Sequence, residues 1–436
     1  MKPKKQFQAP KGTFDILPED QKYWEKVRKV VKHVALGYGF ERIDTPILED
    51  AELFSLSEGE TTDVVEKQMY TFRTKGGDVV ALRPEGTPSI MRAYVERGMT
   101  NAPQPVKLYY LAPMFRYEQP QAGRYRQHHQ AGLEVIGDQN PIYDAQIISM
   151  CIAVGVELGL KNLNVEINSL GCPKCRPAYR TQLARYFKAR APRLCKDCKR
   201  RLKYNPLRLL DCKEEQCQEL KANAPNLIDS LCQECHDHFK AVLEYLDELA
   251  VPYALNPHLV RGFDYYTKTV FELFLEDEHA EGGSEKTHER SRLALGGGGR
   301  YDALGKILSG KDVPAAGAGI GMERLIGVMK KQGVKIPPLY RPEVFLAQLG
   351  AFARKKSLKL FEELRHSGIM VAESFGKDSI KAQLRSADRA GVKITLILGQ
   401  KEAIDGVILM RDMETGAQES VELEKIVKVI KEKLKK

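Results

Sequence analysis

Eight cysteines fall between residues 172 and 235, arranged as CPKC, CKDC, CKEEQC and CQEC, and nothing else in the chain constrains its fold so tightly. The N-terminus is basic but lacks the apolar core of a secretory signal, and no apolar run approaches the ~18 residues of a membrane span. The cytoplasm is therefore the expected compartment, and thiols there stay reduced. Cys172 and Cys175 are separated by nineteen residues from Cys195 and Cys198, the two-knuckle spacing of a tetrahedral Zn²⁺ site. Cys212, Cys217, Cys232 and Cys235 make a looser second set. The alternative is a group of reduced thiols packing a small helical insert. In either case the sites are closed and would hold a fold together. Cys151 stands alone in an apolar helical pattern and reads as core.

The Cys-rich stretch, 171–250, is also charge-rich and mostly helical in pattern, and it interrupts a different style of sequence. Helical spacing over 20–38 is followed by FERIDTPILED, which reads as a strand whose Pro46 belongs on an edge or at a bulge. VVALRPEGTPSIMRAYVERG runs from strand through turn to helix, and VKLYYLAPMFRYEQPQAGRYRQHHQAGLEVIG reads as two strands joined by a polar loop. These patterns predict an α+β first domain over 1–328, a mainly antiparallel sheet with helices around it, interrupted by the insertion. A chain of 436 residues exceeds one ordinary core. The Gly-, Pro- and Lys-containing stretch 329–342 reads as a linker, and 343–436 alternates strand and helix as a small α/β domain closed by a helix over 422–435.

Net charge is +10, with eight basic residues and one acidic residue between Lys188 and Lys203 and a KEKLKK terminus. Such a balance suits a phosphate-rich partner, because neutralised phosphates release counterions.

Four stretches outside the insertion place polar groups where strands and turns are ordinarily apolar. RPEGTP offers Glu85 and Thr87 around Gly86, a carboxylate and a hydroxyl suited to an ammonium group. MFRYEQPQAGRYRQHHQAGLEVIG offers Arg116, Arg124, Gln130 and Glu134. LVRGFDYYTKTVFEL ends as an alternating half-buried strand but begins with Arg261, Asp264, Tyr265 and Tyr266. AAGAGIGMERLIG places Arg324 at a helix start behind a glycine-rich strand. A buried arginine is costly unless it meets a carboxylate or phosphate. Singly each could be a structural ion pair; together they argue for a bound anion.

In their order these motifs resemble the histidyl-tRNA synthetase family of class II aminoacyl-tRNA synthetases. FERIDTPILED is similar to the dimer-interface motif. The stretches around Arg116 and Arg324 are similar to the second and third class motifs, and LVRGFDYYTKTVFEL and LGGGGRYDAL to two signatures of the histidine enzymes. The eight cysteines are not a requirement of that family, so zinc is read from spacing alone. The resemblance implies a cytoplasmic homodimer that uses ATP with Mg²⁺, L-histidine and tRNA(His), with no membrane. It assigns Arg116 and Arg261 to the α-phosphate and Arg324 to adenine. Glu85, Gly86, Thr87 and Gln130 would hold the α-ammonium. Glu134 and a tyrosine would bracket the imidazole; Tyr265 and Tyr266 alternate on a strand, and the family match favours Tyr266. His128 and His129 read as loop contacts to tRNA. Residues 343–436 would bind the anticodon. Two rivals share part of this pattern: an inactive synthetase-like regulatory subunit of histidine biosynthesis, and a zinc-stabilised nucleic-acid-binding module.

Overall fold

Alternating apolar residues give the first domain its strands, and the computed structural model describes residues 7–59, 62, 64–121, 123–276 and 294–434. The chain divides into two compact units, Met1–Ile336 and Pro337–Lys436. Strands of the first unit are β1 (Glu41–Arg42), β2 (Leu48–Asp50), β3 (Tyr70–Arg73), β4 (Val79–Leu82), β5 (Val106–Phe115), β6 (Gln127–Ile136), β7 (Leu163–Ser169), β8 (Tyr253–Leu255), β9 (Thr267–Leu275), β10 (Gly296–Arg300) and β11 (Ala315–Gly321). Eight of them form one sheet in the order β1-β5-β6-β11-β10-β9-β7-β8. Its pairings are antiparallel except β1 with β5 and β7 with β8. A small antiparallel sheet, β2-β4-β3, accompanies it.

The sheet has two unlike faces because side chains alternate along each strand. On one face Ala131, Leu133 and Val135 of β6 meet helices Pro18–Gly37, Ile142–Glu157, Gln233–Glu248 and Met322–Lys331 in a single core. Trp24, Val27, Val31 and Val34 of the first helix recur at helical spacing and are fully buried there. Burying each such aliphatic side chain contributes ~1.5–3 kcal/mol. The opposite face presents Tyr110, Gln130 and Glu134, and it shares its core with the insertion: Tyr179, Leu183 and Phe187 pack in one cluster with Tyr265 and Tyr266.

Several expectations are corrected. FERIDTPILED is not one strand; Pro46 lies between β1 and β2, and the chain passes there from the large sheet to the small one. The strand of TKTVFEL is buried on both faces, except at Glu272, because helices cover one side and the insertion side of the fold covers the other. The insertion departs after β7 and contains helices Arg176–Lys188, Lys196–Tyr204 and Glu215–Ala222. Its last helix, Gln233–Glu248, sends Phe239, Val242 and Leu246 into the main core. The helix Met322–Lys331 extends into the stretch expected to be linker.

The second unit holds β12 (Val344–Gln348), β13 (Val371–Glu373), β14 (Ile394–Leu398), β15 (Val407–Asp412) and β16 (Gln418–Glu422), in the order β13-β12-β14-β15-β16. The first three are parallel and the last two antiparallel, with helices Ala351–His366 and Ile380–Ala390 between parallel strands. The closing helix is Ile426–Leu434; it is entered from β16 through a single 3₁₀ turn, Leu423–Lys425.

Candidate active site

Glu85 lies in the turn after β4, and Gly86 caps the helix Thr87–Glu96. The Tyr265 hydroxyl donates to Glu85 Oε2 at 2.8 Å, and Glu85 is almost fully buried. Burial raises its carboxyl to about 7, against the lowering pull of Arg116, the Tyr265 hydrogen bond and Arg261. Glu134, on β6, accepts from the Thr87 hydroxyl at 2.8 Å and from the Tyr301 hydroxyl. Burial pushes its carboxyl up to about 8 despite both donors. Glu58, at the end of the helix Ala51–Glu58, is a third buried acid held well above the usual range, first by burial and then by the neighbouring Glu85.

Glu85 Oε1 and Gln130 Oε1 are buried acceptors with no hydrogen-bond donor among the described residues. A buried unpaired acceptor costs on the order of 1–3 kcal/mol, and both carboxylate oxygens of Glu58, beside Glu85, are donorless as well; such acceptors call for a donor from a ligand. Gln130 has room because Gly319 lies beside it on β11: a Cβ there would stand 1.6 Å from Gln130 Nε2.

The arginines approach from three elements. Arg116 follows β5; its Nε donates to the Pro84 carbonyl at 2.9 Å, and its guanidinium lies 5.5 Å from the centre of the Phe263 ring. Arg261 pairs through Nη1 with Glu272 of β9, sits 5.6 Å from the Tyr266 ring centre, and leaves Nε buried without an acceptor. Burial works to lower the Arg261 pKa, but the Glu272 carboxylate together with Tyr266 and Tyr265 more than offsets it. Arg324 donates through Nε to the Gly123 carbonyl at 3.0 Å and through Nη1 to Ala294. These bonds lie in the guanidinium plane and tie the loop after β5 to the helix after β11.

The segment before β9 answers the tyrosine question differently from the sequence pattern. The strand begins at Thr267, so Tyr265 and Tyr266 sit in the preceding turn and do not alternate. Both rings are buried and lie 4.7 Å apart. Asp264 supports this turn by accepting from Asn205 of the insertion at 2.9 Å, and Arg208 donates to the Gly262 carbonyl at 2.8 Å. His128 and His129 are on β6 and not in a loop. Burial, with Arg116 and Arg324 nearby, lowers His128 to about 3. His129 binds Glu323 through its backbone N–H and Nδ1 and packs against Trp24.

Glu58, Glu272 and Tyr301 join the candidate site through Glu85, Arg261 and Glu134, and no local sequence pattern marks them. Arg300, from the GGGGR stretch, is instead a structural group: it is fully buried and pairs with Asp144 under the sheet. Arg83 is likewise structural, donating to the carbonyls of Thr45, Pro46 and Pro113.

The cysteine grouping expected from spacing is corrected. Cys172 and Cys175 come together with Cys232 and Cys235, and Cys195 and Cys198 with Cys212 and Cys217. Linear spacing cannot distinguish sequential from nested knuckles; the folding of the insertion back on itself nests them.

Residues 12–325 match the family model described as histidyl-tRNA synthetase, and 343–433 match that described as anticodon binding domain. The chain is 46% identical to a histidine–tRNA ligase of Dehalococcoides mccartyi, over 98% of this chain and all of that one. It is 44% identical to a histidine–tRNA ligase of Desulforamulus reducens, over 97% of this chain and 98% of that one. The crystal structure of apo S. aureus histidyl-tRNA synthetase matches with a TM-score of 0.80 at 35% identity, covering 98% of this chain and 100% of that one. Fold and site together define a class II aminoacyl-tRNA synthetase. Within that class, the chain belongs to the histidyl-tRNA synthetase family.

Proposed function

We propose that the protein activates L-histidine with ATP to histidyl-adenylate and transfers the histidyl group to the 3′ end of tRNA(His), releasing pyrophosphate and AMP. The observation that carries this reading is the pair of buried, donorless acceptors Glu85 Oε1 and Gln130 Oε1. An α-ammonium group supplies donors to both, and its charge favours ionised Glu85. Thr87 and Gly86 shape the same corner, while Glu134 and Tyr266 bracket the imidazole nitrogens, with Tyr265 holding Glu85.

A histidine carboxylate oxygen attacks the α-phosphorus, and the bond to pyrophosphate breaks. The nucleophile is already an anion, so no general base is needed and the protein aligns and neutralises. Arg116 and Arg261 present donors to the α-phosphoryl oxygens, with Glu272 orienting Arg261. The ATP-binding set is Arg116, Arg261 and Arg324; the in-plane bonds of Arg324 leave its flat face to stack on adenine. Mg²⁺ would arrive with the β- and γ-phosphates as part of the substrate. A terminal ribose hydroxyl of tRNA then attacks the adenylate. A site that hydrogen-bonds its side chain rejects analogues lacking those groups by ~10⁴–10⁵. An inactive regulatory relative would have no use for two arginines aimed at one anion.

Residues 1–328 would be catalytic and 343–436 would bind the anticodon, with structural zinc in the insertion. The protein would work as a homodimer in the cytoplasm. Ile47, Leu48, Leu56, Phe72 and Val79 support the dimer: all are exposed apolar residues on or beside the small sheet next to Pro46. No helix among the described residues is long and apolar enough to cross a membrane. Exchange of labelled pyrophosphate into ATP tests the reading. It should depend on histidine alone among the amino acids; equal stimulation by several, or none by histidine, would sink it.

A further inference from the structure

We infer that the insertion holds two zinc ions in nested all-thiolate sites, and that the outer ion positions the tyrosine turn of the active site. The outer set is Cys172, Cys175, Cys232 and Cys235; the inner set is Cys195, Cys198, Cys212 and Cys217. A zinc–sulfur bond of ~2.3 Å places tetrahedral sulfurs ~3.8 Å apart. In the outer set Cys172 Sγ lies 3.8 Å from both Cys175 Sγ and Cys232 Sγ, and Cys175 Sγ lies 3.8 Å from Cys235 Sγ. In the inner set Cys195 and Cys212 sulfurs are 3.9 Å apart. The four sulfurs of each set all lie within 4.8 Å of one another.

The surroundings suit thiolates. Backbone N–H groups of Cys172 and Lys174 donate to the sulfurs of Cys175 and Cys172, and those of Cys195 and Cys198 to Cys217 and Cys195. Cys175, Cys195 and Cys232 each stand directly before a helix of eight residues or more, where the positive end of the dipole favours an anion. Cys172, Cys175, Cys198, Cys212, Cys217 and Cys235 are buried, Cys195 and Cys232 are partly exposed, and four thiolates fill each tetrahedral shell with no open coordination position. Such closure defines a structural site.

The outer site reaches the tyrosine turn from both of its knuckles. From the first, Arg176 donates to the carbonyls of Leu170, Gly171 and Tyr266. From the second, Glu234 pairs with Lys268 at 3.1 Å. Between them, Leu170 N–H donates to the Lys268 carbonyl at 2.7 Å, and Lys268 N–H to the Gly171 carbonyl at 2.8 Å. Lys268 is held at φ 50°, a left-handed conformation that a lysine keeps only when its surroundings impose it. The outer ion thus fixes the backbone on which Tyr265 and Tyr266 hang. The inner set reaches the turn only from the loop between its knuckles, through Asn205 to Asp264 and Arg208 to the Gly262 carbonyl, and not at the tyrosines themselves. The positioning role rests on the proposed histidine site; the metal sites do not.

The test counts metal first. Protein prepared without chelator, measured by elemental analysis, should carry two zinc ions per chain, and X-ray absorption should show four sulfurs at about 2.3 Å. Metal-free protein that takes up no zinc, or iron in place of zinc, overturns the assignment. Cys172→Ser with Cys235→Ser should remove one ion, whereas Cys172→Ser with Cys195→Ser should remove both. Retention of one ion in that last variant overturns the nesting. In pyrophosphate exchange, Cys235→Ser should raise the KM for histidine about tenfold while leaving the KM for ATP within about twofold. Cys198→Ser should remove the inner ion and raise the histidine KM less than Cys235→Ser does, because the inner loop reaches the turn only through Asn205 and Arg208. Arg176→Ala keeps all eight thiols and both ions, and should raise the histidine KM in the same way even if Cys235→Ser fails to fold. An unchanged histidine KM in Arg176→Ala refutes the positioning role. If the wild type shows no histidine-dependent exchange, the function fails while the zinc count still stands.

Discussion

Replacing Gly319 with alanine separates binding from folding at one atom. The added Cβ would stand 1.6 Å from Gln130 Nε2, 2.7 Å from Cδ and 3.3 Å from Cγ. All three atoms belong to a side chain that can turn away, so the clash is relieved by moving the Gln130 amide. Cγ needs only a few tenths of an ångström. Alanine in place of glycine also lowers unfolded-state entropy, worth ~0.4–1 kcal/mol toward the folded state. Stability should therefore change little, with a melting shift within about 3 °C. Binding should not survive so well. The displaced amide loses a hydrogen bond to a charged ammonium, worth ~1.5–3 kcal/mol. That corresponds to a rise in the histidine KM of about 10- to 150-fold. The KM for ATP should stay near its wild-type value. Gly298→Ala is the contrast: its Cβ would meet the Gly317 carbonyl oxygen at 2.0 Å and Ala318 Cα at 2.7 Å. Those atoms are backbone of the adjacent strand, so β10 and β11 must part, and the variant should melt more than about 10 °C lower or fail to fold. Thermal melts and histidine-varied pyrophosphate exchange measure both. A Gly319→Ala protein with wild-type histidine KM would show that Gln130 does not touch the amino acid. One that unfolds like Gly298→Ala would show that the Gln130 side chain cannot yield.

Arg261→Lys keeps a charge but loses the fork between Glu272 and the phosphate, so adenylation should fall on the order of 10²-fold with the fold intact; near wild-type exchange would leave Arg261 as an ion pair alone. Glu85 and Glu134 have folded pKa values raised to about 7 and about 8, so their contribution to ligand-free stability is complete below the ordinary carboxylate range and is lost as pH rises through 7 and then 8. Glu134→Gln should flatten the fall in melting temperature between about pH 4.5 and pH 8, and parallel curves for variant and wild type would refute the buried-acid argument. Truncation after Ile336 should preserve histidine-dependent exchange but lose most tRNA charging, with a weaker salt dependence as phosphate contacts disappear; a truncated dimer that charges tRNA normally would refute the anticodon role.

Much of the architecture was legible because it follows from periodicity. The hairpin of β5 and β6, with Gln130 and Glu134 alternating away from Ala131, Leu133 and Val135, reads directly off the chain. What failed was whatever depends on where an element begins or on contacts across the fold. Tyr265 and Tyr266 were assigned strand alternation, but the strand begins at Thr267. Glu272 looked like an ordinary outward-facing acid of an alternating strand, and only the fold brings Arg261 to it. Glu58 resembled any polar residue at a helix end until burial set it beside Glu85. The knuckle spacing marked the eight cysteines but not which of them come together, since grouping depends on how four helices turn. β16 and the helix Gln400–Asp405 escaped notice because one is nearly all exposed and the other is short.

The position of β11 has a consequence for how the chain is made. It is the last strand of its sheet in sequence, yet it lies between β6 and β10. The strands that precede it in sequence fall on either side of it as two groups, β1-β5-β6 and β10-β9-β7-β8, each with an inner edge that only β11 pairs. Bare edges pair with other chains, so messages truncated before residue 315 should yield products that aggregate or recruit chaperones. The sequence of β11, AAGAGIG, is almost free of side chains that would have to find rotamers as it enters. It joins the two groups into the one sheet on which Gln130 and Glu134 stand.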